Sequence, residues 1–387
     1  MRKVYVAGIG STTFGRHTGT DIGSLAIRAA NAAIIETGLD RKEIGALYLG
    51  NFVSGPLTGQ EVLAGLVADG LGLSQIPCTK VEGACASGGI AFRHAYLAIA
   101  SGMCDAAIAV GVEKMTHASN ADITGALNCA MDNRSDGISG LTFPGLFGLA
   151  WQRHAQLYGT DRAQVSAVVR KNKRNGLRNP LAQLGADLDD ETIAQSAPIC
   201  DPLRLYDCCP ASDGAAAVVL VSEGLRSAIR QQAVEIMASV QTRGSARIAG
   251  HDDICSFDAT VAAARLAFAT SSLTPKDIDL VELHDCFSIA EIIDTEDLGL
   301  VPRGQGGAFA KEGRTAVGGD IPVNASGGLL SKGHPVGATG IGQIYESVLQ
   351  LRGKHTNQVR NAAIAMTHNL GGTGVACTVN ILRRTDA

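Results

Sequence analysis

Short apolar runs alternate along the chain with longer stretches whose apolar positions recur every three or four residues. Val4 to Ile9 reads as a buried strand. Ile22 to Thr37 carries the helical period and stops at Gly38. Gly45 to Phe52 predicts the next strand, Glu61 to Leu71 a helix, and Ile76 to Val81 a strand. An Ala-rich helix follows over residues 86–101, then a central strand from Ala106 to Val112. Strands alternating with helices in this way predict an α/β fold, a sheet covered on both faces.

The rhythm breaks between Glu113 and Cys209, where Asn, Asp, Ser and Gly segments flank helical patterns at Phe147 to Tyr158 and Asp161 to Asn175. It resumes with strands at Ala215 to Val221, Val234 to Val240 and Ile278 to Leu283, a helix at Val261 to Ala269, and a short extended piece at Ile321 to Asn324. A helix at Gly337 to Leu351 and strands at Ala362 to Thr367 and Val375 to Leu382 finish the chain. The pattern predicts two αβ halves, residues 1–225 and 226–387, with an inserted segment at about 115–204 in the first.

Composition narrows this picture. The chain has 387 residues, 45% hydrophobic but 4% aromatic, so Ala, Gly, Val, Ile and Leu do the packing. A net charge of −4 argues against a general nucleic-acid partner. No apolar run is long enough to span a bilayer, and the N-terminus lacks a signal-peptide core. Ten scattered cysteines with no CxxC pair read as reduced thiols of a cytoplasmic protein, with neither a disulfide framework nor a metal site. Charge is uneven: Arg153, Arg162, Arg170, Lys171, Lys173, Arg174 and Arg178 stand against Asp161 alone between Trp151 and Pro180. That stretch is either a solvated helix face or a docking surface for a polyanionic tail, with Arg153, Lys171 and Arg174 as candidate contacts.

Four stretches carry chemistry. In Val81-Glu82-Gly83-Ala84-Cys85-Ala86-Ser87-Gly88-Gly89 a cysteine sits where a strand gives way to a helix. Free amides and the dipole at a helix start favour a thiolate, and small neighbours admit an electrophile. The same residues also suit a buried structural cysteine. His284-Asp285-Cys286-Phe287 ends a buried strand and brings an imidazole and a thiol to the sheet edge where α/β ligands bind. Gly333-His334-Pro335-Val336-Gly337-Ala338-Thr339-Gly340 places a second histidine at a helix start. His368-Asn369-Leu370-Gly371-Gly372-Thr373-Gly374 follows a strand with glycines that can aim backbone amides at one point.

Together these stretches resemble the thiolase superfamily from Val4 to Leu382, and Ser212-Asp213-Gly214-Ala215-Ala216-Ala217 is also family-like. The HDCF stretch resembles the sterol-carrier-protein-2 type of thiolase and related archaeal and bacterial thiolases. Degradative thiolases carry Asn-Glu-Ala-Phe there, and a Cys-x-Gly loop where this chain has His368-Asn369-Leu370. The resemblance implies the thiolase fold, two similar αβαβα halves with an inserted loop domain that binds coenzyme A. It implies a cysteine acyl-enzyme on Cys85, with His334 as its base and Cys286 as the second acid/base. His284 and His334 would line one oxyanion site, and the amides of Cys85, Leu370 and Gly371 a second. His368 is the rival acid/base, and Cys377 reads as a buried strand residue.

The implied activity is cleavage of a 3-oxoacyl-CoA, including bulky or aromatic ones, or the reverse condensation. Coenzyme A is a co-substrate and no cofactor is permanently bound. The implied partners are a second copy of the chain, as a homodimer or tetramer, and a small subunit with a zinc ribbon and an OB-fold. Two other readings stand beside this one: a decarboxylating ketoacyl synthase using Cys85, His284 and His334, and a degenerate acyl-CoA-binding or scaffold subunit.

Overall fold

Local chemistry sets the first elements where the pattern puts them. The Asp21 carboxylate accepts from the Ser24 amide and caps a helix at Ile22–Thr37. Gly38, at φ 77°, ends it in the left-handed conformation that costs glycine nothing. A computed structural model describes residues 2–385. Its strands are β1 (Val4–Ser11), β2 (Leu47–Gly50), β3 (Cys78–Val81), β4 (Ala106–Glu113), β5 (Pro198–Cys200), β6 (Leu203–Arg204), β7 (Gly214–Ser222), β8 (Val234–Thr242), β9 (Leu280–Glu282), β10 (Ile364–Gly371) and β11 (Ala376–Arg384). β5 and β6 form a separate small hairpin.

The remaining nine make one sheet in the order β3-β2-β4-β7-β1-β8-β11-β10-β9. From β1 outward the pairings run antiparallel to β7, antiparallel to β4, then parallel to β2 and β3. From β8 outward they run antiparallel to β11, antiparallel to β10, then parallel to β9. Ile321 to Asn324, expected to be extended, continues this second series through an isolated parallel bridge between Val323 and Val281. The halves therefore repeat one topology, and they join where β1 meets β8 at Tyr5–Glu235 and Val6–Val234.

Helices cover both faces. The Ile22–Thr37 and Leu63–Leu71 helices pack their Ala, Leu and Val residues on the first half. The Asp258–Ser271 helix covers the same side of the second half with Ala259, Ala263 and Ala267. On the other face the Ser87–Ala100 and Thr339–Leu351 helices lie against each other, and both halves share that layer. The inserted segment, between β4 and β7, carries the Phe143–Tyr158 and Arg162–Arg178 helices, whose apolar faces join the core of the second half. Among the described residues no helix is long and apolar enough to cross a membrane.

Candidate active site

The Ser87–Ala100 helix starts through a 3₁₀ turn at Ala84–Ala86, and Cys85 is the middle residue of that turn. Ala84 holds φ at 50°, a region L-residues rarely adopt, immediately before the thiol. The second half builds the opposite wall. His284 and Cys286 follow β9 in a short irregular segment that leads into the Ser288–Asp297 helix. Buried Asp285 fixes that segment by accepting from the Leu329 and Leu330 amides and from Asn172 Nδ2. His334 lies between the Gly328–Lys332 helix and a 3₁₀ turn at Val336–Ala338, and its amide donates to the Ser212 hydroxyl at 3.0 Å.

These elements close around a cavity of ≈ 80 Å³ lined by Cys85, Cys209, His284, Cys286, His334, Leu370 and Gly372, with Phe52, Phe143, Phe147 and Phe287 among its apolar residues. The Cys85 sulfur and a ring nitrogen of each of His284 and His334 all lie within 4.8 Å of one another. The two imidazoles meet edge to face at 5.0 Å between centroids.

Hydrogen bonds set the role of His334. The Thr339 hydroxyl donates its proton to the Pro335 carbonyl at 3.1 Å, so its oxygen accepts from His334 Nδ1–H at 2.7 Å. The lone pair is thereby left on Nε2. Burial holds this imidazole down to a pKa of about 3, so it is neutral and its lone pair is free. His284 is held well below its ordinary value by burial, then by His334 and His368.

The Cys85 thiol departs from the sequence expectation. A helix start favours a thiolate, yet burial pushes this thiol up to about 12. The Gly372 amide, aimed at the sulfur from φ 60°, works in the opposite direction and loses to desolvation, to which Glu113 and Glu82 add. Cys85 is therefore a neutral thiol and needs a base to ionise it. Cys286 is raised well above the ordinary thiol value by burial and by the neighbouring Cys209 and Cys85, so it too holds its proton.

The structure brings Cys85, His284, Cys286 and His334 together and leaves other candidates outside. His368 is fully buried on β10, where Nε2 meets Thr260 Oγ1 at 2.9 Å and Nδ1 lies 3.7 Å from Asp294, away from the cavity lining. Cys377 sits in the β11 core within 3.9 Å of the same Thr260 hydroxyl. Leu370 presents its side chain to the cavity, but Leu370 and Gly371 lie in the β10–β11 ladder, and the amide that reaches the Cys85 sulfur is that of Gly372.

Most cations of the basic stretch find carboxylates within the fold, while Arg178 is exposed. The Lys171 side chain is only 8% exposed, pairs with Glu291 at 3.0 Å and donates to the Val323 carbonyl. Arg153 lies 3.6 Å from Asp253, Arg174 2.5 Å from Asp187, Arg162 2.5 Å from Asp207, and Arg170 pairs with Asp190. Lys173 donates its buried amine to the Leu330 carbonyl. Lys171 and Arg174 line a surface groove of ≈ 600 Å³ that shares no residue with the catalytic cavity. A run of cations in sequence carries no record of the carboxylates that the fold brings to it.

Sequence reading missed Cys209, whose amide donates to the Cys286 carbonyl at 3.0 Å. It also assigned no role to Thr339 and Asn369, although both stand inside the stretches singled out above. The signal was there in principle: a hydroxyl five residues beyond a histidine can reach back to its Nδ1 across a 3₁₀ turn.

Comparison with known proteins agrees over the whole chain. Residues 4–224 match the thiolase N-terminal domain model and residues 240–384 the thiolase C-terminal domain-like model. An acetyl-CoA acetyltransferase of Methanothermobacter thermautotrophicus is 45% identical over 99% of this chain and 100% of its own. The benzoylsuccinyl-CoA thiolase subunit BbsB of Thauera aromatica is 35% identical over 96% of this chain and 95% of its own. Human sterol carrier protein 2 is 34% identical over 98% of this chain and 72% of its own. Among solved structures, the Ltp2-ChsH2(DUF35) aldolase superposes with a TM-score of 0.83 at 24% identity, covering 99% of this chain and 98% of that one. Human mitochondrial 3-ketoacyl-CoA thiolase in complex with CoA superposes with a TM-score of 0.75 at 17% identity, covering 100% and 98%. These two likenesses are of fold.

Proposed function

The chain belongs to the thiolase family, and from that premise we propose that it transfers acyl groups between coenzyme A thioesters through an acyl-Cys85 intermediate. The observation that carries the proposal is the cluster of the Cys85 sulfur and the His284 and His334 nitrogens within 4.8 Å, in a cavity that Cys286 also lines. The substrate is a 3-oxoacyl-CoA. Cys85 gives its proton to His334 Nε2 and attacks the 3-keto carbon. The tetrahedral oxyanion is met by amides of the Gly372 turn and of Cys85 itself. Collapse breaks the carbon–carbon bond, leaves the acyl group on sulfur and releases an enolate. The enolate oxygen sits between His284 and protonated His334, and Cys286 gives the enolate carbon its proton. Coenzyme A then gives its thiol proton to the Cys286 thiolate and takes the acyl group, and Cys85 leaves as a thiolate that recovers its proton from His334; condensation runs the same steps backwards.

Phe52, Phe143, Phe147 and Phe287 give the acyl subsite an apolar wall, which suits substrates larger than acetoacetyl-CoA as well as small ones. In this reading the inserted segment, about 115–204, holds the coenzyme A tail. The protein works in the cytoplasm as a homodimer or tetramer and engages a small subunit with a zinc ribbon and an OB-fold. Thiolysis across acetoacetyl-, longer, branched and aryl 3-oxoacyl-CoA esters, with mass spectrometry of the trapped adduct, tests the activity. No turnover on any of them, or an adduct on another cysteine, overturns it. Light scattering and co-purification test the assembly, and a fully active monomer defeats that part.

A further inference from the structure

Asn369 stands on β10 beside the rival His368, with its side chain buried between the two helices of the shared layer. Its Oδ1 accepts from the Gly89 amide at 3.3 Å in the first turn of the Ser87–Ala100 helix. Its Nδ2 lies 3.2 Å from His284 Nδ1. The space is tight on both sides. A Cβ on Gly340 would sit 2.3 Å from Asn369 Oδ1, and one on Gly89 3.2 Å from it. Reversing the amide would turn Nδ2 toward the Gly89 N–H, donor against donor, so the hydrogen-bond partners fix its orientation.

We propose that Asn369 is a positioning residue that holds His284 in the tautomer with its proton on Nε2. Nδ2 donates, so His284 Nδ1 must accept, and the ring proton goes to Nε2, toward the cavity. The two catalytic imidazoles are thereby set in opposite states: His334 offers a lone pair and His284 offers a proton. The first suits a base, the second an oxyanion donor. The same arrangement has a second effect. Cys85, His284 and His334 have the spacing of a three-ligand metal site, but with His284 Nε2 protonated the trio lacks its third lone pair. The amide donor keeps a soft divalent cation such as zinc from occupying the nucleophile.

Asn369→Asp tests this with almost no change of shape. A carboxylate still accepts from the Gly89 amide but must also accept from His284 Nδ1, which moves the ring lone pair to Nε2. It also completes the carboxylate–histidine–metal arrangement that strengthens zinc sites. Three readouts are expected. Ring ¹⁵N NMR of histidine-labelled wild type, with His284 assigned by loss of its signals in His284→Gln, shows Nε2 protonated and Nδ1 bare. Asn369→Asp loses about 100- to 1,000-fold in turnover, as for one oxyanion donor. It also binds zinc about 10- to 100-fold more tightly than wild type, by competition with a chelator. The turnover arm rests on the thiolase reading, whereas the NMR and zinc arms do not, so failure of one is separable from failure of the other. A wild-type His284 protonated on Nδ1 overturns the proposal whether or not the variant folds. So does a folded Asn369→Asp with wild-type turnover and unchanged zinc affinity.

Discussion

Replacing Cys286 by Ala and His368 by Gln separates two sites for the second proton transfer. Cys286 lines the cavity with the nucleophile, and its raised pKa makes it an acid ready to protonate a leaving enolate. Removing such a group costs about 100- to 10,000-fold in rate, or about 3–5 kcal/mol of barrier. His368 is buried on β10, where it meets Thr260 and, at 3.7 Å, Asp294. Its replacement forfeits one buried hydrogen bond, about 1 kcal/mol of stability, and no catalytic factor. The assay follows loss of the α-protons of acetyl-CoA in deuterium oxide, alongside thiolysis of acetoacetyl-CoA and a melting curve. Cys286→Ala is expected to lose exchange and thiolysis yet still form an acyl adduct on Cys85 from a simple acyl-CoA, because that step uses His334. His368→Gln is expected to keep exchange within a few-fold. If a folded His368→Gln loses exchange while Cys286→Ala keeps it, the assignment fails. If Cys209→Ala alone loses it, the acid is the neighbouring thiol.

Cys85→Ala should abolish the acyl adduct while shifting stability by no more than about 1 kcal/mol, since one sulfur atom at a cavity wall is removed; an adduct that persists by mass spectrometry would sink the nucleophile assignment. Lys171→Ala should destabilise by about 3–5 kcal/mol in urea unfolding, because Glu291 is left buried without its cation, whereas Arg174→Ala should cost less than about 1 kcal/mol. Equal effects would mean that Lys171 is not structural, and a raised KM for coenzyme A in Arg174→Ala would place the coenzyme A tail in the groove that Arg174 lines. Burial holds His368 down to about 3, so the unfolded chain binds a proton below the ordinary histidine value and the folded chain does not. Stability is then lost as pH falls from about 6.5 toward 3, by about 2 kcal/mol from this residue at pH 5. The gap between wild type and His368→Gln should therefore shift by that amount between pH 8 and 5, and an unchanged gap would mean that the folded protein admits the proton.

Much of this was legible because the signals are local. Gly38 marks the end of a helix whatever surrounds it, and β7 announces itself as a run of apolar residues buried without exception. Cys85 and His334 were visible because each stands among glycines at a helix start. What escaped the reading depends on residues distant in sequence. The pKa of Cys85 follows from burial by the second half, which a helix-dipole argument cannot weigh. The fate of Lys171 depends on Glu291, a residue 120 positions away. The part played by Asn369 needs Gly89 and His284 in place on either side of it. The order of the strands shows the duplication that the residues themselves conceal, because packing preserves topology long after side chains have diverged.

That duplication has a consequence for how the chemistry arose. The helix behind Cys85 and the helix behind His334 occupy matching places in the two repeats, each entered through a 3₁₀ turn. They abut at their first turns: a Cβ on Gly88 would meet the Gly337 carbonyl at 2.7 Å, and one on Gly340 the Gly89 amide at 2.4 Å. The two functional side chains stand at different places in these matching turns: Cys85 is the middle residue of the first, where the second has Gly337, and His334 lies two residues ahead of the second, where the first has Glu82. Each repeat therefore brings to the seam a group that its counterpart lacks, and the Cys85–His334 pair exists only where the two halves meet.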